Sequence, residues 1–482
     1  MYFYLLTLGC PKNEVDSEGM QQLLLQAGYQ QTDDPRRADV LIVNTCGFID
    51  VARQESLEAL RALARRKRRG QALVAAGCLV QRSGVGLAQD VPALDGFLST
   101  RRWAEVVGVV EIANQRISES ANQQSCQSPI VEGQEAGGTD PRRRTKDEGL
   151  RTKDERLRTK DQRPTSLLMP GRVATSASAY LKIADGCDAP CAFCAIPAIK
   201  GRYASKPVEA ILEEARQLVA QGVQEIVLIA QDTTLYGRDL DAGRDGLARL
   251  LESIVAAVPA LPWLRVMYTY PTHITPRLVE TMARLPQVCH YLDIPLQHAH
   301  PAVLRRMHRP SDLDDTRRLL ARLRAAMPDI ALRTTFIVGY PGETEEEFQA
   351  LLNFLAEVRF DHVGVFPYSA EEGTPAAGLP GAVPTPLKQE RYRRAMARQQ
   401  EISRAKNQEW VGQTLPVLIE GEAETDHGLR TKDHGLLVGR SFRDAPEVDG
   451  LVLATGQAAV GTIVPVHITA ATEYDLWGEV AS

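Results

Sequence analysis

The chain has 482 residues, 44% hydrophobic and 24% charged, with 56 Lys and Arg against 61 Asp and Glu for a net charge of -5. That composition excludes a fibrous or wholly disordered protein, and the length suits roughly three domains. So balanced a charge argues neither for nor against nucleic-acid binding. No apolar run approaches the roughly eighteen residues of a membrane span, and the N-terminus lacks the basic start of a signal peptide, so a cytoplasmic protein is expected.

The first third alternates strand and helix. Tyr2–Leu8, Val40–Val43 and Ala72–Ala76 read as strands; a helix capped by Ser17 runs to about Ala27, and an amphipathic one runs from Asp50 to about Arg69. Gly28 and Gly70 stop them. This rhythm predicts a parallel α/β sheet. Cys10, Cys46 and Cys78 each follow one of the three strands, beside Gly9, Asn44, Gly47 or Gly77. Open α/β sheets bind ligands beyond the carboxyl ends of their strands, so three cysteines scattered in sequence are expected on one rim. Taken singly, each reads as a small buried apolar residue, the usual fate of a free cysteine.

An N-terminal domain over 1–116 is then followed by a stretch, 117–175, rich in Ser, Gln, Gly, Arg and Asp. It contains a heptad, Arg144-Thr-Lys-Asp-Glu-Gly-Leu, which recurs with small changes from Arg151 and Arg158. One apolar residue in seven cannot form a coiled-coil seam, and a disordered linker is expected. A related heptad returns at Arg430, as inserted repeats do in exposed loops. Cys126 lies in the linker and is assigned no role.

From 176 to 408 the βα alternation resumes six times, with strands expected at Tyr180–Ala184, Glu225–Ala230, Leu264–Tyr268, Tyr291–Ile294, Ala331–Val338 and His362–Phe366. Helical patterns such as Val208–Ala220, Leu247–Val258 and Glu345–Val358 separate them. Six such units make a partial (β/α)6 barrel, whose active site is expected at the carboxyl ends of its strands. A basic helix, about Leu387 to Asn407, leads to short strands at Thr414–Glu420, Leu436–Arg440, Leu451–Thr455 and Ile463–Thr469. Residues 409–482 thus read as a small OB-like β-barrel. From Trp410 onward there are eleven acidic residues and four Lys or Arg. Such a surface repels a phosphate backbone and suits a basic partner.

The first barrel strand is followed directly by Cys187-Asp-Ala-Pro-Cys191-Ala-Phe-Cys194. Eight cysteines without a secretion signal favour thiol or metal chemistry over disulfides. Three thiolates are one short of a closed tetrahedral site. An iron–sulfur cluster held by three would keep one iron open; a structural zinc would need a fourth ligand, for which His298 and His300 are candidates. Gln231 and Asp232, at the second strand's end, and Gln297, at the fourth, could line a ligand site or serve as strand-end hydrogen bonders. Glu343 reads as a helix cap, and Cys289 as core.

The Cys187–Cys194 run, with Phe193 before its last cysteine, resembles the signature of the radical S-adenosylmethionine (SAM) superfamily. Leu8-Gly-Cys-Pro-Lys-Asn-Glu-Val-Asp-Ser-Glu18, Asn44-Thr-Cys-Gly-Phe48, Ala76-Gly-Cys-Leu79, Asp293-Ile-Pro-Leu-Gln-His298 and Gly339-Tyr-Pro-Gly-Glu-Thr344 are similar to segments of the radical-SAM methylthiotransferases. The resemblance covers the chain apart from the repeats. It implies an α/β multidomain enzyme: a methylthiotransferase N-terminal domain, a radical-SAM domain and a C-terminal TRAM domain. It implies two 4Fe-4S clusters, one on Cys187, Cys191 and Cys194 that binds SAM, and an auxiliary one on Cys10, Cys46 and Cys78. In such enzymes the auxiliary cluster carries sulfur, one SAM methylates it, and a second SAM yields a radical that takes hydrogen from the substrate; the cofactors do the hard chemistry and no side-chain base is required. Pro11, Lys12 and Asp188 resemble the branch that modifies the β-carbon of an aspartate of ribosomal protein S-12, a basic protein that the acidic barrel suits. That branch implies no direct nucleic-acid target, and flavodoxin or ferredoxin as electron donor. A tRNA methylthiotransferase and a non-catalytic zinc or electron-transfer protein remain the alternatives at this point.

Overall fold

The computed structural model describes residues 1–84, 86–122, 167–240, 243–423 and 435–481. They divide into two compact units, Met1–Pro170 with Ala198–Lys200, and Gly171–Pro197 with Gly201–Ser482. The heptads from Arg144 and Arg430, and Cys126, lie outside the described residues.

The first unit is a parallel sheet of β1 (Tyr2–Thr7), β2 (Gln30–Gln31), β3 (Val40–Thr45), β4 (Ala72–Gly77) and β5 (Gly96–Ser99), in the order β2-β1-β3-β4-β5. Every residue of β3 and β4 is buried, because both faces are covered, as parallel sheets require. Ile42 and Val74 pack with Met20, Leu24 and Trp103, whereas Val43 and Leu73 pack with Leu57, Leu60 and Leu79. Two local expectations are corrected. The first helix spans Pro11–Gln26, with Cys10 as N-cap and Pro at its first turn; Ser17, expected to cap it, lies inside it because Pro11 starts the helix earlier. A helix over Val106–Asn122 carries regular structure past position 117, where the linker was expected to begin. Its Val106, Val110 and Ala113 are buried in the core, with Ile117 packed at the edge.

In the second unit the strands are β6 (Ser178–Lys182), the short antiparallel ribbon of β7 (Ala184–Asp185) and β8 (Ala204–Ser205), then β9 (Glu225–Ile229), β10 (Trp263–Val266), β11 (Val288–Asp293), β12 (Ala331–Val338) and β13 (His362–Pro367). The main sheet runs β13-β12-β11-β10-β9-β6, parallel throughout and open between its ends. This is the partial six-stranded barrel. Ile226, Leu228, Leu264, Val266 and Leu292 face the surrounding helices in one core. The last five strands, β14 (Thr414–Glu422), β15 (Leu437–Ser441), β16 (Val452–Thr455), β17 (Ile463–Ala471) and β18 (Leu476–Val480), close a small barrel in the order β14-β15-β16-β18-β17.

Strand residues alternate between faces, so Glu225, Arg265, Tyr291 and Arg333 point away from the helices, into the six-stranded barrel near the amino ends of its strands. All four are buried or nearly so, and the small barrel supplies their partners. Glu225 receives Arg265 Nε at 2.7 Å and Arg440 at 2.6 Å. Arg265 also donates to the Phe442 carbonyl at 2.7 Å. Asp449 accepts from the Tyr291 hydroxyl at 2.6 Å and from Arg333 at 3.2 Å. Arg443 reaches Asp361 at 3.2 Å and lies over the Trp410 ring. The Ser441–Asp449 segment thus closes the floor of the six-stranded barrel. The excess acid counted in the C-terminal segment is therefore partly internal: the side chains of Asp444 and Asp449 are buried against His362 and Arg333, while Glu420 and Glu473 pair with Arg440 and Arg404 nearer the surface.

Burial opposes the charge of Glu225, but Arg265 and Arg440 outweigh it and hold its carboxyl down to about 2. Removing one member of a buried ion network costs about 3–5 kcal/mol, so Glu225→Gln is expected to lower the urea midpoint of the second unit. A depressed carboxyl stabilises above its unfolded value and loses that effect as pH falls through its folded one. The gap between wild type and Glu225→Gln should therefore close between about pH 4.5 and 2; a gap independent of pH would contradict the assignment.

Candidate metal-cluster sites

Cys46 and Cys78 immediately follow β3 and β4, and Cys10 follows β1 after Leu8 and Gly9; the three strands are neighbours in the sheet. Gly9 has φ +99°, and a Cβ there would lie 2.7 Å from Cys46 Cβ. A Cβ on Gly47 would lie 3.1 Å from the Cys78 carbonyl carbon. Only glycine permits these approaches. The three thiols are close enough that charge on Cys10 and Cys46 acts on Cys78. Cys10 is exposed, while Cys46 and Cys78 are buried.

A knot of buried polar side chains holds the three strand ends together. Asn13 donates to the Leu8 carbonyl at 2.9 Å and the Thr45 carbonyl at 3.0 Å. Asn44 donates to the Asn13 carbonyl at 2.8 Å and to Ser17 Oγ at 2.9 Å. Cys78 Sγ lies 3.7 Å from Asn13 Oδ1. Ser56 accepts from the Cys46 amide at 3.0 Å and donates to its carbonyl at 2.9 Å, and Arg82 donates to the Gly47 carbonyl at 2.8 Å. Sequence reasoning missed these roles, although Asn13, Ser17 and Asn44 stand within the motifs that flank the cysteines.

The second trio lies in the loop beyond β7. The Ala189 amide donates to Cys187 Sγ at 3.4 Å, and Arg309 to Cys191 Sγ at 3.8 Å. Phe193 packs in an apolar group with Val303, Met307, Tyr340 and Tyr368. The turn Met307–Arg309 grips the loop residue by residue. Met307 O accepts from the Ala192 amide at 3.0 Å, His308 Nδ1 lies 3.2 Å from Pro190 O, and Arg309 reaches Cys191. The Ala192 carbonyl accepts from Ala376 N at 2.8 Å.

Burial pushes the thiols of Cys46 and Cys187 up, and those of Cys78 and Cys194 up to about 12. A thiolate there needs positive charge, which an iron–sulfur core brings with it. The donor sets fit such a cluster: three free thiols each, with amide or guanidinium N–H groups on the sulfurs of the second trio. Among the described residues no three His, Cys, Asp or Glu side chains converge as a single metal ion requires.

The remaining candidates have other partners. Asp232 accepts from Thr234 N at 3.0 Å and lies 2.8 Å from His273 Nδ1. Gln231 carries a buried Oε1 with no partner among the described residues. Gln297, beyond β11, has φ +75° and pairs with β12 through its backbone, donating to Thr335 O and accepting from Ile337 N, each at 2.8 Å. His298, the suggested zinc ligand, is buried with Nε2 3.8 Å from Glu343, and burial holds its imidazole down to about 3. His300 faces Glu347 at 3.6 Å. Glu343 is no helix cap: Thr344 caps Glu345–Val358 in a capping box with Glu347. Glu343 instead accepts from the Tyr340 amide and from Arg391, both at 3.0 Å, and burial raises its carboxyl to about 7. Cys289 is buried, as expected of core.

Comparison with known proteins agrees with this geometry. Residues 181–355 match the radical SAM superfamily, 2–99 the uncharacterized protein family UPF0004, and 411–481 the TRAM domain. A ribosomal protein uS12 methylthiotransferase RimO from Roseiflexus sp. (strain RS-1) is 51% identical over 99% of this chain and 97% of its own length. Proteins of the same name from Herpetosiphon aurantiacus and Chloroflexus aurantiacus are each 50% identical over the whole of both chains. The chain belongs to the RimO family. Among solved structures, the radical SAM methyltransferase TsrM from Kitasatospora setae shares the fold, with a TM-score of 0.52 at 16% identity, over 78% of this chain and 73% of that one. The α/β multidomain architecture with a TRAM barrel is that of a radical-SAM enzyme, and with it come SAM and a 4Fe-4S cluster. Among the described residues no helix is long and apolar enough to cross a membrane.

Within this RimO-family fold, Asn13 is the tie between strand ends. Asn13→Ala removes a donor from the buried Thr45 carbonyl, at about 1–3 kcal/mol for such a group, and one from the part-buried Leu8 carbonyl. The variant is expected to unfold at lower urea than wild type; an unchanged midpoint would contradict that role.

Proposed function

We propose that this chain is a radical-SAM methylthiotransferase that replaces a hydrogen on the β-carbon of an aspartate of ribosomal protein S12 with a methylthio group. The observation that carries the reading is the pair of three-thiol sets, each beyond the carboxyl ends of parallel strands, in a chain half identical over its whole length to uS12 methylthiotransferases. Cys187, Cys191 and Cys194 would hold the SAM-binding cluster, and Cys10, Cys46 and Cys78 an auxiliary one. When bound, these groups and SAM supply the radical, the sulfur and the methyl group.

The protein's own task is to place and shield them. The Asn13, Asn44 and Ser17 knot keeps three strand ends at one spacing, and the Met307–Arg309 turn fixes the second loop. The apolar wall of Phe193, Tyr340 and Tyr368 keeps water from one side of that loop. An electron donor of the flavodoxin or ferredoxin class serves the reaction in the cytoplasm.

Mass spectrometry of ribosomal protein S12 from cells with and without the gene tests the reading. A methylthio mass gain present only with the gene is expected, and no gain would overturn the substrate. The triple variant Cys10→Ala, Cys46→Ala, Cys78→Ala should carry half the iron of the reconstituted wild type, still cleave SAM reductively, and form no methylthio product. Undiminished iron would remove the auxiliary site from these residues.

A further inference from the structure

Arg309 is nine-tenths buried, yet among the described residues no carboxylate lies within ion-pair distance of it. Its guanidinium is in contact with a thiol, a carbonyl and a ring. It donates to Cys191 Sγ at 3.8 Å and to the Pro295 carbonyl, and lies 4.0 Å over the Tyr270 ring. Its Nε is buried without an acceptor among the described residues. A buried cation without an anion is unfavourable. The backbone that carries Arg309 is held in place. The Arg309 amide donates to the Leu304 carbonyl at 2.8 Å, and His308 before it is left-handed at φ +54°. Tyr270 is itself held, by its amide to Thr234 Oγ1 at 3.1 Å and by stacking on His273.

We propose that Arg309 is the built-in counter-charge of the cluster on Cys187, Cys191 and Cys194, a positioning residue that raises its reduction potential. The inference rests on the reading of those cysteines as cluster ligands. In the redox step one electron passes from a low-potential donor to the cluster, which gains one negative charge and no proton. A fixed cation with an N–H on a ligand sulfur stabilises that extra charge, and hydrogen bonds to sulfur and net charge are among the terms that set such potentials. The Tyr270 face and the Pro295 carbonyl orient the guanidinium so that its donor meets sulfur. Lysine, a point charge without the planar fork, would keep the charge but not the orientation.

The test is an EPR-monitored redox titration of reconstituted full-length protein with dithionite and mediators. Wild type is compared with Arg309→Met, Arg309→Lys and Tyr270→Leu, each in a background with Cys10, Cys46 and Cys78 replaced by alanine so that one cluster gives the signal. Iron and sulfide are assayed in every sample. Arg309→Met is expected to load its cluster and titrate at a more negative potential, so that the reduced fraction at a fixed poise falls several-fold. Arg309→Lys should recover most of the shift, and Tyr270→Leu should move part-way toward Arg309→Met. Equal potentials in loaded Arg309→Met and its parent would overturn the proposal. If Arg309→Met does not load, Tyr270→Leu decides in its place: a potential equal to the parent's overturns the inference, and a more negative one supports it. A parent that binds no iron and sulfide would instead refute the cluster reading itself.

Discussion

Parallel strands connected by crossover helices bring all their carboxyl ends to one rim, and a residue just beyond each strand has only a turn in which to place its side chain. This chain uses that constraint twice. In the first unit it assembles Cys10, Cys46 and Cys78 from three separate strands; in the second it fixes where the Cys187–Cys194 loop leaves the sheet. The thiols of the first rim must come close without the backbone colliding, which is why Gly9 and Gly47 carry no side chain.

The two trios are supported in different ways. Around the first, Asn13, Asn44 and Ser17 exchange hydrogen bonds with backbone groups, so that the spacing of three strands is set by rigid, short side chains. Around the second, one turn, Met307–Arg309, meets one loop, Pro190–Ala192, each residue of the turn touching a different residue of the loop by a backbone or side-chain contact. The first arrangement suits a site whose ligands come from distant positions. The second suits a loop that would otherwise be free to fold away from its sheet.

Much of this was legible in the amino-acid order. The continuous apolar runs of β3 and β4 and the six βα repeats of the second unit announce buried parallel strands, and the cysteines stand at their ends. The helix at Val208–Ala220 is legible for the same reason: its apolar residues recur on one face. What could not be read are interactions between residues far apart in sequence. Arg309 lies 118 positions from Cys191, and Arg265 lies 177 from Phe442. Charge counting misled for a related reason. The acidic excess of the C-terminal barrel is real, but Asp444 and Asp449 point inward, toward cations that no local pattern links to them. Glu343 misled because a glutamate beside Gly342 at a helix start resembles a cap, whereas the neighbouring Thr344 takes that role.

The sealed floor of the six-stranded barrel has a consequence for how such chains are inherited. Glu225, Arg265, Tyr291 and Arg333 are polar residues in the middle of a sheet, tolerable only because Arg440 and Asp449 meet them from the C-terminal barrel. Neither part can be exchanged for a relative that lacks the matching residues without exposing unmatched charge at the joint. The TRAM barrel, matched as its own domain over residues 411–481, is here half of a lock, and recombination that separates the two halves would yield chains that fold poorly before any question of catalysis arises.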